Sequence, residues 1–160
     1  VSEKQEPFAA ILSCSDSRIP ASVIFDQGIG DIFSVRVAGH VCTDEAIASL
    51  EYAVEQLKVK LIMVLGHSNC GAVITAINTP SYATDYIKNL LEHIKPAICC
   101  KNDDEISDID FLNICTKNHI FKTVEKLKSS NSLISEKIKN NEIRIVGAFY
   151  DLKTGIVEVL

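Results

Sequence analysis

No apolar run in this 160-residue chain approaches the roughly 18 residues that a membrane-spanning helix needs, so neither such a helix nor a membrane partner is expected. Basic charge is also short: 16 Lys and Arg face 21 Asp and Glu, leaving a formal net charge of -5. Nucleic-acid recognition needs a clustered basic surface, so no nucleic-acid partner is expected. Six cysteines are too sparse for a small disulfide scaffold. Tryptophan is absent, and no internal repeat, linker or low-complexity tract divides the chain. No stretch has the flanks of a signal peptide. The expected compartment is the cytoplasm, with periplasm or organelle left open because the sequence starts at Val1 rather than Met. These absences leave one domain, residues 1–160, long enough to bury a core without staples.

Within that domain, apolar runs alternate with helical patterns, the signature of an α/β fold. Strands are predicted over residues 9–12, 32–37, 61–65 and 143–150, forming a central four-stranded, largely parallel sheet flanked by helices. The turn Asp151-Leu152-Lys153-Thr154-Gly155 returns the chain as an antiparallel strand over 156–160, with Gly155 at positive φ. A short helix is expected over 21–25 after Pro20, and another opens at Thr43 as N-cap, with Asp44 and Glu45 favouring its dipole. Further helices are predicted over 72–77, 86–98, 119–127 and 133–140, with the acidic segment 101–110 as a separator. Cys42, Cys99, Cys100 and Cys115 are expected to be reduced, mostly buried small residues.

Two segments stand out: Cys14-Ser15-Asp16-Ser17-Arg18 and Gly66-His67-Ser68-Asn69-Cys70-Gly71. Each follows a predicted strand and precedes a predicted helix. Parallel pairing of those strands brings two thiolates, an imidazole and a carboxylate to one sheet edge, where ligand sites of open α/β sheets lie. These are zinc ligands in type and number. Cys70 also sits near a helix N-terminus, where the dipole favours a thiolate. A closed, non-catalytic zinc-binding domain with Asp16 as the fourth ligand remains an alternative, although such a site has no need of Arg18. A thiol-nucleophile or redox enzyme using Cys14 or Cys70 is another.

The same two segments, with Ser49-Leu50-Glu51-Tyr52-Ala53-Val54, Val146-Gly147-Ala148 and Tyr150-Asp151 before Thr154-Gly155, closely resemble the β-class carbonic anhydrases. The resemblance spans nearly the whole chain. It implies one zinc ion per chain on Cys14, His67 and Cys70, and reversible hydration of carbon dioxide to bicarbonate. Asp16 then either takes the fourth position or pairs with Arg18 and leaves that position to water, so the two form a gate. Gln27 resembles the glutamine that hydrogen-bonds substrate, and Phe33, Val41 and Tyr52 are candidates for the pocket wall. A hydrolase of carbon disulfide or carbonyl sulfide on the same scaffold is the close rival, using the same ligands. A dimer or tetramer is implied.

The chain departs from the family in three places. Relatives carry Arg-Asn-x-Ala-Asn where Arg36-Val37-Ala38-Gly39-His40 stands, and His40 is expected to be exposed. Ile11 occupies the place of the tryptophan that marks a regulatory bicarbonate pocket, so that pocket is expected to be absent. The family's amino-terminal helical arm is also missing from the sequence, as in a trimmed product with a weakened oligomer.

Two thiolates and one neutral imidazole cancel the formal charge of a zinc ion, making it a weaker Lewis acid than one held by three imidazoles. Carbon dioxide hydration by this chain is therefore expected to accelerate as pH rises from mildly acid to alkaline. A flat stopped-flow profile across that range overturns the charge argument.

Overall fold

Five strands form one sheet in the computed structural model, which describes residues 2–78, 81, 84–99, 106–129 and 132–160. They are β1 (Ala9–Ser13), β2 (Ile32–Arg36), β3 (Leu61–His67), β4 (Arg144–Tyr150) and β5 (Val157–Val159). Their spatial order is β2-β1-β3-β4-β5, the first four parallel and the last antiparallel. This is the predicted α/β architecture, with Gly155 at φ 73° in the hairpin. Every residue of β1 is buried, as expected of a central parallel strand covered on both faces.

Among the described residues, six α-helices connect or flank the strands: α1 (Ala21–Ile24), α2 (Asp44–Glu55), α3 (Gly71–Asn78), α4 (Asp85–Glu92), α5 (Asp108–Ser129) and α6 (Leu133–Lys139). Thr43 caps α2 by accepting the Ala46 N–H at 3.3 Å. Leu50 and Val54 of α2, Ile120 and Leu127 of α5, and Ile134 of α6 pack with Leu12, Ile62 and Val64 into the largest core cluster. A second cluster, beyond the carboxyl ends of the strands, contains Cys14, Val41, Cys70, Ile94 and Cys115.

Two predicted helices differ from the observed ones by more than a residue or two. The one expected over 86–98 ends as α4 at Glu92, and a single 3-10 turn over Lys95–Ala97 follows. Pro96 explains this, because it lacks an N–H and disfavours helical geometry at the residue before it. The helix expected over 119–127 begins eleven residues earlier, at Asp108. Asp108 and Asp110 lie in its first turn, where acidic groups suit the dipole, and the Ser107 hydroxyl accepts the Asp110 N–H at 3.2 Å. The buried face of α5 includes Thr116, His119 and Thr123, and these polar residues break the apolar periodicity.

Burial corrects two further expectations. His40 is fully buried rather than exposed. The 3-10 turn Ala38–His40 carries it inward, where its ring lies against His119, centroids 4.4 Å apart. Cys42 and Cys115 are buried, but Cys99 is exposed because it follows the turn at Pro96; Cys100 lies outside the described residues.

Gly147 of β4 allows α5 to approach the sheet. A Cβ there would lie 2.7 Å from Ile120 Cγ2, a distance that side chains do not tolerate without movement. Gly147→Ala is expected to cost about 1–3 kcal/mol, read as a lower urea midpoint at unchanged slope. Combined with Ile120→Ala, the total loss should fall short of the sum of the single losses. A strictly additive pair would show that the two residues do not meet.

Candidate metal centre

The register of β1 and β3 builds this site. Ser13 pairs with Leu65, so the chain leaves β1 at Cys14 beside the place where β3 runs on to His67. From β1 the chain proceeds to β2 on one side, and β3 has β4 on its other side. The two segments thus emerge at the switch point of the sheet.

Cys14 Sγ accepts the backbone N–H of Gly39 at 3.1 Å. Gly39 has φ 67° and ψ 21°, and a Cβ there would meet Ile94 Cδ1 at 2.6 Å, so glycine is needed on both counts. His67 Nδ1 lies 2.8 Å from the Ser68 carbonyl, to which only an N–H can donate. The Nε2 lone pair is therefore free, and that atom is buried without a hydrogen-bond partner. Asn69, at φ 53°, turns the chain, and the Cys70 carbonyl accepts the first helical bond of α3, from the Ile74 N–H at 3.0 Å.

One ligand atom each from Cys14, His67 and Cys70 lie within 4.8 Å of one another, and all three residues are buried. Among the described residues this is the one such group. A hydrogen bond from Cys70 favours the Cys14 thiolate, while the same contact and burial push the Cys70 thiol up. The two shifts run in opposite directions, favouring the thiolate at Cys14 and the thiol at Cys70. A metal ion bound there would displace the thiol proton, since thiolate is the ligand form. Two sulfurs and a free imidazole nitrogen suit zinc, whereas magnesium and calcium prefer oxygen. The donor set and the orphaned Nε2 fit the ion.

Beside this group, Arg18 grips Asp16 through three bonds: its backbone N–H and Nε donate to Oδ1 at 3.0 and 2.9 Å, and Nη2 donates to Oδ2 at 2.7 Å. These bonds hold the Asp16 carboxyl well below the usual carboxylate range. Asp16 Oδ2 is 3.8 Å from His67 Nε2, so the carboxylate borders the cluster while remaining in the arginine's grip. Arg18 also donates to the Asn69 carbonyl at 3.2 Å, tying the two loops together. Arg36 braces the first loop, with Nε donating to the Cys14 carbonyl at 3.1 Å and Nη2 to the Asp16 carbonyl at 2.6 Å.

The pocket candidates divide. Val41 is fully buried in the same apolar cluster as Cys14 and Cys70. Phe33 and Tyr52 instead pair with each other, ring centroids 6.1 Å apart, with Phe33 at the rim of the core under α2. The Gln27 amide donates to the Phe25 carbonyl at 2.7 Å, within its own loop. Sequence reasoning missed Arg36 and Gly39 as supports of the site, although the unusual segment Arg36-Val37-Ala38-Gly39-His40 marked their position. It also missed His119, whose Nε2 lies 3.0 Å from the Gly39 carbonyl; nothing local distinguishes that histidine.

A family model described as carbonic anhydrase matches residues 9–157. The chain is 42% identical over 154 residues to carbonic anhydrase 2 of Mycobacterium tuberculosis, covering 94% of this chain and 73% of that protein. It is 36% identical over 162 residues to a carbonic anhydrase of Mycolicibacterium smegmatis, covering 99% and 77%. Among solved structures, the β-carbonic anhydrase CcaA superposes with a TM-score of 0.89 at 24% identity, covering 99% of this chain and 81% of that one. A tetrameric β-carbonic anhydrase of Sordaria macrospora gives 0.89 at 25% identity, covering 99% and 83%.

Proposed function

The chain belongs to the β-carbonic anhydrase family and is an enzyme of reversible carbon dioxide hydration; we propose that it works with one zinc ion held by Cys14, His67 and Cys70. The observation that carries this reading is the buried, unpartnered His67 Nε2 among two cysteines, beside a carboxylate gripped by arginine. Bound there, zinc supplies the Lewis acidity that activates water toward the carbon of carbon dioxide.

The chain's own groups do the rest. The Ser68 carbonyl fixes the His67 tautomer and ring, and the Gly39 N–H fixes the Cys14 sulfur. Asp16 stays ionised through neutral and alkaline pH, because Arg18 depresses its pKa; it therefore accepts a hydrogen bond from the attacking water and orients it. With both carboxylate oxygens engaged by Arg18, Asp16 would leave room for water on a metal held by Cys14, His67 and Cys70. This arrangement speaks against a closed structural site, in which Asp16 itself would be the ligand. Self-association belongs to the proposal as well. A tetrameric relative shares the fold, and Ile29, Ile156 and Val159 leave apolar surface exposed.

Two experiments test the reading. Stopped-flow hydration of carbon dioxide should be lost after treatment with a zinc chelator and restored by zinc. Activity that survives complete metal removal would point to thiol chemistry instead. Arg18→Ala should retain zinc near one equivalent per chain yet lose most hydration activity, on the order of 10-fold or more. Full activity in that variant would remove the gate from the mechanism.

A further inference from the structure

We propose that His119, on α5, is a positioning residue for the metal site, acting through the Gly39 backbone on the Cys14 sulfur. The inference rests on the reading of Cys14, His67 and Cys70 as metal ligands, and it deepens that reading.

Two contacts and one backbone conformation carry it. His119 Nε2 lies 3.0 Å from the Gly39 carbonyl, the Gly39 N–H donates to Cys14 Sγ at 3.1 Å, and Gly39 stands in the left-handed conformation that presents both groups at once. A carbonyl only accepts, so His119 is present as the Nε2–H tautomer. Burial lowers its pKa to about 4, so the ring is neutral at working pH and adds no charge beside the metal. Its Nδ1 is buried and has no hydrogen-bond partner. The bond to Gly39 is therefore the one polar attachment that the described structure gives this imidazole.

A surface-facing loop can leave a glycine free to choose among several backbone conformations. Here α5 reaches over and holds the carbonyl, so the adjacent N–H stays aimed at sulfur. Hydrogen bonding to a metal thiolate withdraws electron density from it and fixes its direction, two ways in which outer groups tune a metal. Losing the His119 bond leaves the Gly39 carbonyl's peptide held only by the His40 N–H, which donates to the Val37 carbonyl at 2.8 Å, and loosens the residue whose own N–H meets the sulfur. The Cys14 thiolate then becomes more electron-rich and less well placed. His40 supports the imidazole by lying against it, centroids 4.4 Å apart and ring planes inclined by 38°.

The test uses the full chain loaded with cobalt(II), comparing His119→Phe, which keeps a ring but has no donor, with His119→Gln, which keeps an N–H donor near the same position. In H119F the thiolate-to-cobalt charge-transfer band should move to lower energy, and metal affinity measured by chelator competition should fall about 10-fold or more. H119Q should keep both close to the unsubstituted protein. Equal losses in the two variants would make His119 a packing residue and overturn the proposal, as would an unshifted H119F.

Nitrogen NMR of the unsubstituted protein gives an arm that needs no variant: His119 must appear as the neutral Nε2–H tautomer, and an Nδ1–H form overturns the proposal. If the unsubstituted chain shows no thiolate-to-cobalt band at all, the metal reading fails and takes this inference with it. A normal band that is indifferent to H119F removes the inference alone.

Discussion

The parallel pairing of β1 with β3 is the constraint on which the rest of the molecule depends. Cys14 and His67 are distant in sequence, and neither can reach a common ion unless Ser13 sits opposite Leu65. A slip of one residue in that ladder would send alternate side chains to the opposite face of the sheet. It would also part the two loops that Arg18 joins at the Asn69 carbonyl. The register is secured by burial, since all of β1 and the last four residues of β3 are buried. Core packing and ligand placement thus depend on one set of hydrogen bonds.

Electrostatics divide the site into two zones. Cys14, His67 and Cys70, the candidate ligands, are buried, and the contact between the two sulfurs favours the thiolate at Cys14 over that at Cys70. Asp16 and Arg18 lie at the margin, with side chains 17% and 51% exposed. Deeper placement would raise the cost of desolvating the arginine, and full exposure would let solvent weaken its hold on the carboxylate. At the margin, the arginine keeps contact with water while its forked bonds still dictate which way Asp16 faces.

Much of this was legible in the sequence, because the relevant signals are local. Cys14, Asp16, Arg18, His67 and Cys70 fall within two short segments, each following an apolar strand. The central strands β1 and β3 read clearly because their burial leaves almost no polar residue inside them. Legibility failed where tertiary packing overrides local pattern. Thr116, His119 and Thr123 face inward on α5, so its amino-terminal half did not look like one amphipathic helix. His40 looked like a loop histidine, yet it is buried against a partner 79 positions away in the chain. The support given to Gly39 by His119 joins two elements that no spacing rule connects.

The charge balance of the loaded site ties its chemistry to its burial. With zinc bound as proposed, two thiolates cancel the ion, and Arg18 cancels Asp16. The assembly is then neutral before the reacting water ionises, which avoids the large penalty for a net charge in a poorly solvated place. An uncharged, apolar substrate enters such a site without displacing a counterion. The product is an anion, and for it the local balance has shifted: Arg18, half in solvent, is a cation at the margin of the site. The residue that restrains Asp16 thus stands on the side toward water, where a departing negative charge is best received. Its engagement of both carboxylate oxygens leaves Nη1 outside the carboxylate fork, so an anion can be met there without Asp16 being released.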